Sequence, residues 1–301
     1  MRVLIVGLGS IAKKHVAALR RIDADVQLFA LRSSMSAKPW EGIKDFFTWD
    51  DALAHDYDFA IISNPTSEHI STIKQLLVKQ IPLFIEKPLD NKLIDENIIE
   101  DIEKHGLITY IACNLRFLDC LKAAKEIVEA HRVNEVNVYC GSYLPDWRLG
   151  TDYRKVYSAI PELGGGVHID LIHEIDYTCW LCGIPQSVQG IFSNKSSIGI
   201  RAYDYANYVF SYDGFNASIV LNYYRRDYKR TVEIVCEDAT YLVNLATNTI
   251  TKGDELLFSS TQKMMDTYLP QMEYFVECCK QGIDTFNNIR EANRVLNICL
   301  K

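Results

Sequence analysis

The chain has 301 residues, a length typical of two domains of about 150 residues each. Its hydrophobic content of 48% and charged content of 24% are those of a globular protein with a substantial core. The formal net charge of -7 argues against a nucleic-acid partner, and the shortness of apolar runs such as Val3 to Val6 argues against a membrane span. The nine cysteines are scattered and no secretory leader is recognisable, so we expect reduced thiols in a cytoplasmic protein.

The first strand and turn match a dinucleotide-binding fingerprint. Arg2 to Val6 predicts a buried strand, and Gly7-Leu8-Gly9-Ser10-Ile11-Ala12 follows it directly, before a helix-forming run. This order of strand, G-x-G-x-x-A turn and helix is the context that the fingerprint requires. Gly7 permits a tight turn, Gly9 lets the backbone approach a pyrophosphate, and Ala12 allows the helix to pack closely on the strand. We therefore predict cofactor contacts from Gly7, Gly9, Ser10 and Ile11.

Predicted strands and helices alternate through the first 117 residues. The strand-like runs lie near residues 26–31, 45–47, 59–62, 82–85 and 107–112. Regular alternation predicts a doubly wound parallel sheet, and hence a Rossmann domain over residues 1–117. Ligands of such sheets bind beyond the carboxyl ends of the strands. The polar residues predicted to meet the cofactor there are Asn64, Pro65, His69, Glu86 and Lys87.

The pattern changes after residue 117. The predicted elements are helices at residues 118–130, 269–281 and 289–300 and strands near 134–143, 187–193, 206–212, 217–224, 231–236 and 239–244. Strands at hairpin spacing, with turn residues such as Asp213-Gly214, predict a mostly antiparallel sheet. The prediction is therefore an α/β fold whose second domain, residues 118–301, differs in architecture from the first.

Three consecutive glycines, Gly164 to Gly166, precede an apolar run that predicts one buried helix. Glycine permits close approach of the backbone, at a cost in conformational entropy. Asp170 and His173 lie three residues apart, so on a helix they project from one face. A carboxylate beside an imidazole is suited to moving a proton. The alternative is that the two side chains only satisfy each other.

Cys179 and Cys182 form a C-x-x-C pair, a spacing found in redox and metal sites. They lie in an apolar helical run, and the sequence contains no second such pair. We therefore assign them to packing and predict no metal site.

Taken together, these motifs resemble those of the Gfo/Idh/MocA family of NAD(P)-dependent sugar and inositol oxidoreductases. The resemblance covers nearly the whole chain and rests on residues 7–12, Asn64-Pro65-Thr66-Ser67-Glu68-His69, Glu86-Lys87-Pro88, and Gly164-Gly165-Gly166 with Asp170 and His173. It implies a Rossmann domain joined to an α/β domain with an open antiparallel sheet that carries the substrate site. It also implies a homodimer or homotetramer built through the outer surface of that sheet.

The resemblance further implies reversible hydride transfer between nicotinamide and a secondary alcohol carbon of a sugar-like substrate. Lys87 would hydrogen-bond the reacting oxygen, His173 would be the general acid/base, and Asp170 would fix the substrate or tune the imidazole. Many members place three residues between this Asp and His, whereas two intervene here, as in a subgroup similar to surface-glycan biosynthesis enzymes. His168 is a rival acid/base, although that position usually carries an apolar residue.

Two other functions stay open at this point. One is a glycoside hydrolase that uses the nicotinamide transiently, since the family contains such enzymes. The other is a non-catalytic dinucleotide sensor, which would not need Lys87, Asp170 and His173. The presence of all three residues favours an enzyme.

The predicted substrate is an acidic or nucleotide-linked sugar. Aromatic rings in the loop before the glycines could stack on sugar faces, and its arginines could bind a carboxylate or a phosphate. The alternative is that these arginines pair with neighbouring carboxylates as a structural rim. The predicted substrate contacts are Asn114, Arg116, Trp147, Arg148, Tyr153 and Arg154.

The end of the second strand bears on the choice of cofactor. In NAD-using Rossmann domains an acidic residue at this place binds the ribose 2′-hydroxyl. Here the strand ends in Arg32-Ser33-Ser34, and a guanidinium can bind a 2′-phosphate with two charge-assisted hydrogen bonds. Ser33 and Ser34 add hydroxyl donors. We predict a preference for NADP(H), with NAD(H) possible; the alternative is that Arg32 stacks on the adenine and serves both.

Overall fold

The structure, a computed structural model, describes residues 1–301. The helices are α1 (Ser10–Ile22), α2 (Trp49–Leu53), α3 (His69–Leu76), α4 (Glu96–Lys104), α5 (Asp119–Ala130), α6 (Val167–Asp170), α7 (Ile172–Cys182), α8 (Tyr268–Gln281) and α9 (Ile289–Cys299). The strands are β1 (Arg2–Val6), β2 (Gln27–Leu31), β3 (Ile43–Phe46), β4 (Phe59–Ile62), β5 (Leu83–Ile85), β6 (Thr109–Ile111), β7 (Val133–Tyr143), β8 (Ser187–Ser193), β9 (Tyr205–Ser211), β10 (Asn216–Asn222), β11 (Tyr224–Cys236), β12 (Thr240–Asn244), β13 (Thr249–Lys252) and β14 (Glu255–Ser259). No helix combines the length and apolarity that crossing a bilayer requires.

The chain divides into two compact units. The first comprises Met1–Cys113 and Tyr268–Leu296, and the second comprises Asn114–Thr267 and Asn297–Lys301. The sequence predicts a single boundary between residues 117 and 118, with everything after it in one domain. In the structure the segment that carries α8 instead packs with the N-terminal unit, and α8 lies against α1.

The first unit contains a six-stranded parallel sheet in the order β3-β2-β1-β4-β5-β6. The chain adds strands to one side of β1 and then, from β4 onward, to the other, so the topological switch point lies between β1 and β4, where doubly wound folds bind nucleotides. The strands β4 and β5 are buried along their whole length, as parallel strands covered on both faces must be. The predicted Rossmann sheet is thereby confirmed.

The second unit contains an eight-stranded sheet in the order β14-β13-β12-β11-β7-β10-β9-β8. Only β10 and β7 pair in parallel; the other neighbours are antiparallel. Buried and exposed residues alternate along β7, β9 and β10 because α5, α6 and α7 cover one face of the sheet. The predicted mostly antiparallel sheet is confirmed, although the sequence missed β13 and β14.

The prediction of one continuous helix after the glycines is wrong, because the helix is interrupted at one residue. Leu171, with φ -99° and ψ 31°, separates α6 from α7. Beyond this break the Glu174 amide bonds to the carbonyl of Leu171, one residue short of the α-helical partner. Asp170 and His173 therefore belong to two different helices, and their spacing alone does not put them on one face.

Candidate active site

The glycine turn after β1 has the geometry of a phosphate-binding turn. Gly7 has φ +90°, and a Cβ there would lie 2.5 Å from the backbone nitrogen of Asn64, so no side chain fits. Gly9 faces open space instead. Gly9 is also the N-cap of α1 and offers no side-chain hydrogen bond to the first turn. The amides of that turn can therefore bind an anion, and the residues fit the pyrophosphate of a dinucleotide.

His69 joins two of the predicted cofactor loops within the first unit. It is almost wholly buried, with Nδ1 3.0 Å from the carbonyl oxygen of Pro88 and Nε2 3.1 Å from that of Asn64. Burial lowers the pKa of His69. The side-chain amide of Asn64 donates from Nδ2 to the hydroxyl of Thr72 at 2.8 Å. Both of these side chains thus hold the loops together, while the backbone at Asn64 and Pro65 remains next to Gly7.

Lys87 lies at the carboxyl end of β5, and its backbone is fixed by the residue before it. One oxygen of the Glu86 carboxylate lies 2.5 Å from Nε2 of His15, which is completely buried in α1. The other oxygen accepts the Lys87 backbone amide at 3.2 Å. A role for His15 in the site was not predicted from the sequence, although its position just after the glycine turn could have indicated one. His15 and Glu86 together position the segment that carries Lys87.

Arg32, the residue predicted to select NADP(H), is engaged in an ion pair. Its Nη1 lies 3.0 Å from Asp45 Oδ2 and also donates to the carbonyl of Lys38. The hydrogen bonds of this guanidinium to Lys38 and Asp45 all come from Nη1, and its side chain is only 8% exposed. Asp45, at the end of β3, is a carboxylate beside the predicted 2′-phosphate position that the sequence reasoning did not weigh. Ser33 and Ser34 are both exposed next to it.

In the second unit, Asp170 is buried and accepts two hydrogen bonds from tyrosines. The hydroxyl of Tyr157 donates to Oδ1 at 2.6 Å, and the hydroxyl of Tyr223 donates to Oδ2 at 2.5 Å. Neither tyrosine was predicted from the sequence. Burial, followed by the nearby Asp170 charge, raises the pKa of both phenols, so both stay protonated donors.

The glycines before Asp170 allow the chain to approach itself. A Cβ on Gly165 would lie 2.1 Å from the carbonyl oxygen of Tyr157, and the Gly165 amide donates to the carbonyl of Ile160 at 3.0 Å. Gly166 has φ +141°, which a side chain would strain. The predicted close approach is therefore real, and its partner is the segment that carries Tyr157.

His173 lies half-buried in the first turn of α7, and two ion pairs anchor that helix. Arg230 Nε lies 2.5 Å from Glu174 Oε1. Arg116 binds both oxygens of Asp176, at 2.6 Å and 3.0 Å. All four charged side chains are buried. Arg116, a predicted substrate contact, thus holds α7 in place.

Asn114 is likewise internal, since it is buried and donates to the hydroxyl of Thr267 at 2.7 Å. His168, the rival acid/base, packs against the rings of Phe192 and Tyr203, with centroids 5.4 Å and 5.5 Å away. Burial lowers the pKa of His168 to about 4, so its imidazole is neutral at pH 7. These surroundings favour a packing role for His168.

The remaining predicted substrate residues lie on the loop after β7. Trp147, Arg148 and Tyr153 line one small pocket, and the guanidinium of Arg148 lies 5.9 Å from the centre of the Tyr157 ring. Trp147 packs edge-on against Tyr223, at 5.3 Å. Arg154 lies 3.9 Å from Asp152, an exposed pair of the kind expected for a structural rim. No group of three His, Cys, Asp or Glu side chains is arranged to hold a metal ion.

The first unit thus has the strand order and glycine turn of a dinucleotide-binding domain, which places the protein in the class of two-unit α/β proteins with a Rossmann domain. Comparison of the sequence with known families agrees. Residues 1–110 match an oxidoreductase family described by its NAD-binding Rossmann fold, and residues 121–242 match the GFO/IDH/MocA C-terminal domain. The chain belongs to the Gfo/Idh/MocA family of oxidoreductases.

Similar proteins are sugar-related dehydrogenases. Myo-inositol 2-dehydrogenase of Thermotoga maritima is 24% identical over 94% of this chain and 89% of its own. A putative NADPH-dependent oxidoreductase from Desulfitobacterium hafniense has a TM-score of 0.87 at 17% identity, over 100% of this chain and 94% of its own. The WlbA dehydrogenase from Bordetella pertussis, solved with NADH and UDP-GlcNAcA, has a TM-score of 0.82 at 19% identity, over 99% and 93% of the two chains.

Proposed function

We propose that the protein is an NAD(P)-dependent dehydrogenase or reductase that transfers a hydride between nicotinamide and a secondary alcohol or ketone carbon of a sugar or sugar derivative. The observation that carries this most is the buried Asp170 carboxylate, fixed by two phenol hydroxyls beside the start of α7. A carboxylate held in this way, followed by the imidazole of His173, suits recognition of a hydroxyl and transfer of its proton. In the Rossmann unit, Lys87 is the side chain that we propose to act on the reacting oxygen of the substrate.

When bound, the nicotinamide supplies the hydride chemistry. In the oxidative direction Lys87 hydrogen-bonds the reacting oxygen and stabilises the charge that develops on it. His173 accepts the hydroxyl proton and returns it in the reductive direction. Asp170 fixes a substrate hydroxyl or orients the imidazole.

Replacement of Lys87 by Met tests this assignment. We expect turnover to fall about 10²-fold or more while the dissociation constant of the cofactor changes little. The measurement is the change in absorbance of reduced nicotinamide with candidate substrates. Lys92→Met, at an exposed lysine on the same loop, is the matched control and should behave as native. Near-native turnover of Lys87→Met would remove Lys87 from the mechanism, and product release with no net absorbance change would instead indicate a hydrolase.

We further propose that the substrate is an acidic or nucleotide-linked sugar. Support comes from Arg148, which is exposed on the loop that also carries Trp147 and Tyr153, and from the ligand named for the WlbA dehydrogenase. A panel of myo-inositol, UDP-glucose and UDP-GlcNAcA separates neutral from acidic and free from nucleotide-linked substrates. Arg148→Ala should raise KM for the acidic member about tenfold or more. Arg201→Ala, which breaks an exposed pair with Glu162, is the control. A preference for myo-inositol with unchanged KM in Arg148→Ala would refute the proposal.

A preference for NADP(H) is part of the proposal. It is supported by the guanidinium charge of Arg32 at the end of β2 and opposed by the carboxylate of Asp45, with which Arg32 is paired.

We also propose a homo-oligomer formed through the exposed face of the eight-stranded sheet. Ile191 on β8, Val209 on β9 and Leu242 on β12 are 65%, 42% and 41% exposed on that face. Their apolar side chains would be covered by a second copy of the same face. Val209→Glu should convert the oligomer to monomers in sedimentation velocity, whereas Val78→Glu, at an exposed valine of the first unit, should not. A native protein that sediments as a monomer would exclude this arrangement.

A further inference from the structure

Both oxygens of the Asp170 carboxylate accept a hydrogen bond from a tyrosine hydroxyl. The bonds measure 2.6 Å to Tyr157 and 2.5 Å to Tyr223, one to each oxygen. Asp170 is only 7% exposed, so water cannot easily replace a lost donor. Hydrogen bonds to an ionised acceptor in such a place are strong and directional. The plane of the carboxylate is therefore set by two donors from separate parts of the second unit.

Tyr223 is the rigid donor of the two. It is fully buried between β10 and β11, its amide donates to the carbonyl of Asp204 at 3.0 Å, and its own carbonyl accepts the Leu144 amide at 2.8 Å. Its ring also packs against Trp147. With its backbone fixed on both sides, Tyr223 presents its hydroxyl at a constant position.

Tyr157 is the donor from the loop. Tyr157 is 43% exposed, and the guanidinium of Arg148, on the loop proposed to contact the substrate, lies 5.9 Å from the centre of its ring. Gly165 permits the backbone position of Tyr157, because a Cβ on Gly165 would lie 2.1 Å from the Tyr157 carbonyl oxygen. That carbonyl accepts the Ile160 amide at 2.9 Å. The second glycine of the motif thus leaves room for the tyrosine that reaches Asp170.

We propose that Tyr157 and Tyr223 are positioning residues, which hold the Asp170 carboxylate in the orientation that binds the substrate. Tyr157 in addition couples this orientation to the loop that carries Trp147 and Arg148, so that substrate contacts with that loop and the alignment of Asp170 depend on each other. This inference rests on the proposed function, since it requires Asp170 to act on the substrate. This role requires no proton transfer to or from either phenol.

A double-mutant cycle tests whether the tyrosine acts through Asp170. The proteins are native, Tyr157→Phe, Asp170→Asn and the double variant, assayed with NADP⁺ as hydride acceptor and with the alcohol of the substrate panel that is oxidised best. Asp170→Asn should lower kcat/KM about 10²-fold or more. Tyr157→Phe should lower kcat/KM about tenfold in the native background, mainly through kcat, and should cause no further loss in the Asp170→Asn background.

A general structural effect is separated by two controls. Tyr212→Phe removes a phenol hydroxyl that donates to a backbone carbonyl, that of Gly183, and should leave kcat and KM unchanged. Tyr157→Phe removes one buried hydrogen bond and should lower the thermal midpoint somewhat, but the variant should be fully folded at the assay temperature and keep the native dissociation constant for NADPH. Tyr223→Phe is expected to follow Tyr157→Phe, but its deep burial can also reduce stability, so the conclusion depends on Tyr157.

Two different failures can be told apart. Near-native turnover of Asp170→Asn would contradict the role that the proposed function gives to Asp170, whatever the tyrosine variants do. An inactive Asp170→Asn together with a fully active Tyr157→Phe would overturn the positioning role alone. An equal loss from Tyr157→Phe in both backgrounds would do the same, because the tyrosine would then act independently of Asp170.

Discussion

Arg32 and Asp45 place opposite charges beside the position expected for the ribose 2′ substituent. The guanidinium attracts a 2′-phosphate and the carboxylate repels it, while their ion pair at 3.0 Å fixes both side chains. We expect Arg32→Ala to reduce the ratio of NADPH to NADH affinity about ten- to a hundredfold, the worth of one or two charged hydrogen bonds. Fluorescence titration with each reduced cofactor gives the two dissociation constants.

Asp45→Asn provides the opposing test. Removal of the repelling charge should raise the same ratio, whereas Asp25→Asn, at an exposed aspartate of the first unit, should not change it. If the native protein binds both cofactors equally, or if its preference survives Arg32→Ala, the proposed selectivity is wrong.

His168 gives the protein a specific acid sensitivity. Burial lowers its pKa from 6.5 to about 4, so the unfolded chain takes up a proton over a pH range in which the folded chain does not. Stability is therefore complete above pH 6.5 and is lost as the pH falls toward 4. For this one group we expect a loss of about 2 kcal/mol between pH 7 and pH 5.

Urea unfolding at these two pH values measures that loss. His168→Phe keeps an aromatic ring against Phe192 and removes the titrating group, so its stability should fall less with acid than that of the native protein. His69, whose pKa burial also lowers, contributes in the same direction and remains in both proteins. Identical acid dependence of the two proteins would count against this account of His168.

At this scale the sequence identified the residues that carry motifs but missed their partners. Asp170 and Lys87 stand in recognisable local patterns. Tyr157 and Tyr223 lie 13 and 53 positions from Asp170, and His15 lies 71 positions from Glu86, so only the fold shows that they meet. Arg116 was predicted as a substrate contact because it follows β6, and nothing local indicated that Asp176 would bind it.

Among the elements, α7 is held in place by two buried ion pairs, although its sequence is largely apolar. Asp176→Ala should cost about 3–5 kcal/mol, because it leaves the guanidinium of Arg116 buried without its carboxylate partner. The double variant Arg116→Met/Asp176→Leu should recover much of that loss, since it leaves no unpaired charge. Urea unfolding of native, single and double variants gives the three free energies.

The exposed pair of Arg294 and Glu291 on α9 is the matched control, and Glu291→Ala should cost less than about 1 kcal/mol. If Asp176→Ala lowers the free energy of unfolding no more than Glu291→Ala does, the buried pair contributes no more to stability than a surface pair.

Several element boundaries could not be read from local patterns. The first half of β11 is rich in charged residues, and no apolar alternation marks it as a strand. The structure shows what holds it there, since Arg226 lies 4.2 Å from the ring centre of Tyr143 on β7. No local pattern in the sequence indicates the break at Leu171. The break separates a helix held by the hydrogen bonds of Asp170 from a helix held by the ion pairs of Glu174 and Asp176, and the partners in these contacts are distant in sequence.

For the molecule as a whole, the most consequential departure from the predicted organisation is the return of the chain to the first unit. Phe275 on α8 is fully buried, with its ring centre 5.2 Å from that of Phe59 and 5.4 Å from that of Phe84. Phe275→Ala should therefore destabilise the dinucleotide-binding unit by about 3–5 kcal/mol, although it lies far beyond that unit's N-terminal segment in sequence.

The control is Phe47→Ala, at a partly exposed ring of the same unit, which should cost much less. Chemical unfolding followed in parallel with NADPH binding measures the effect. Retention of native stability by Phe275→Ala would mean that α8 is not part of the core of the first unit.

The same return of the chain has a consequence for synthesis on the ribosome. The first unit lacks α8 until Tyr268–Leu296 has emerged, and the second lacks its last segment, where Cys299 donates from its thiol to the His168 carbonyl and accepts the Tyr208 hydroxyl. A chain released early would therefore hold two incomplete cores with exposed apolar surface. The order of translation thus makes residues 268–301 necessary to complete both units, and products truncated before these residues should be substrates for chaperones and proteases.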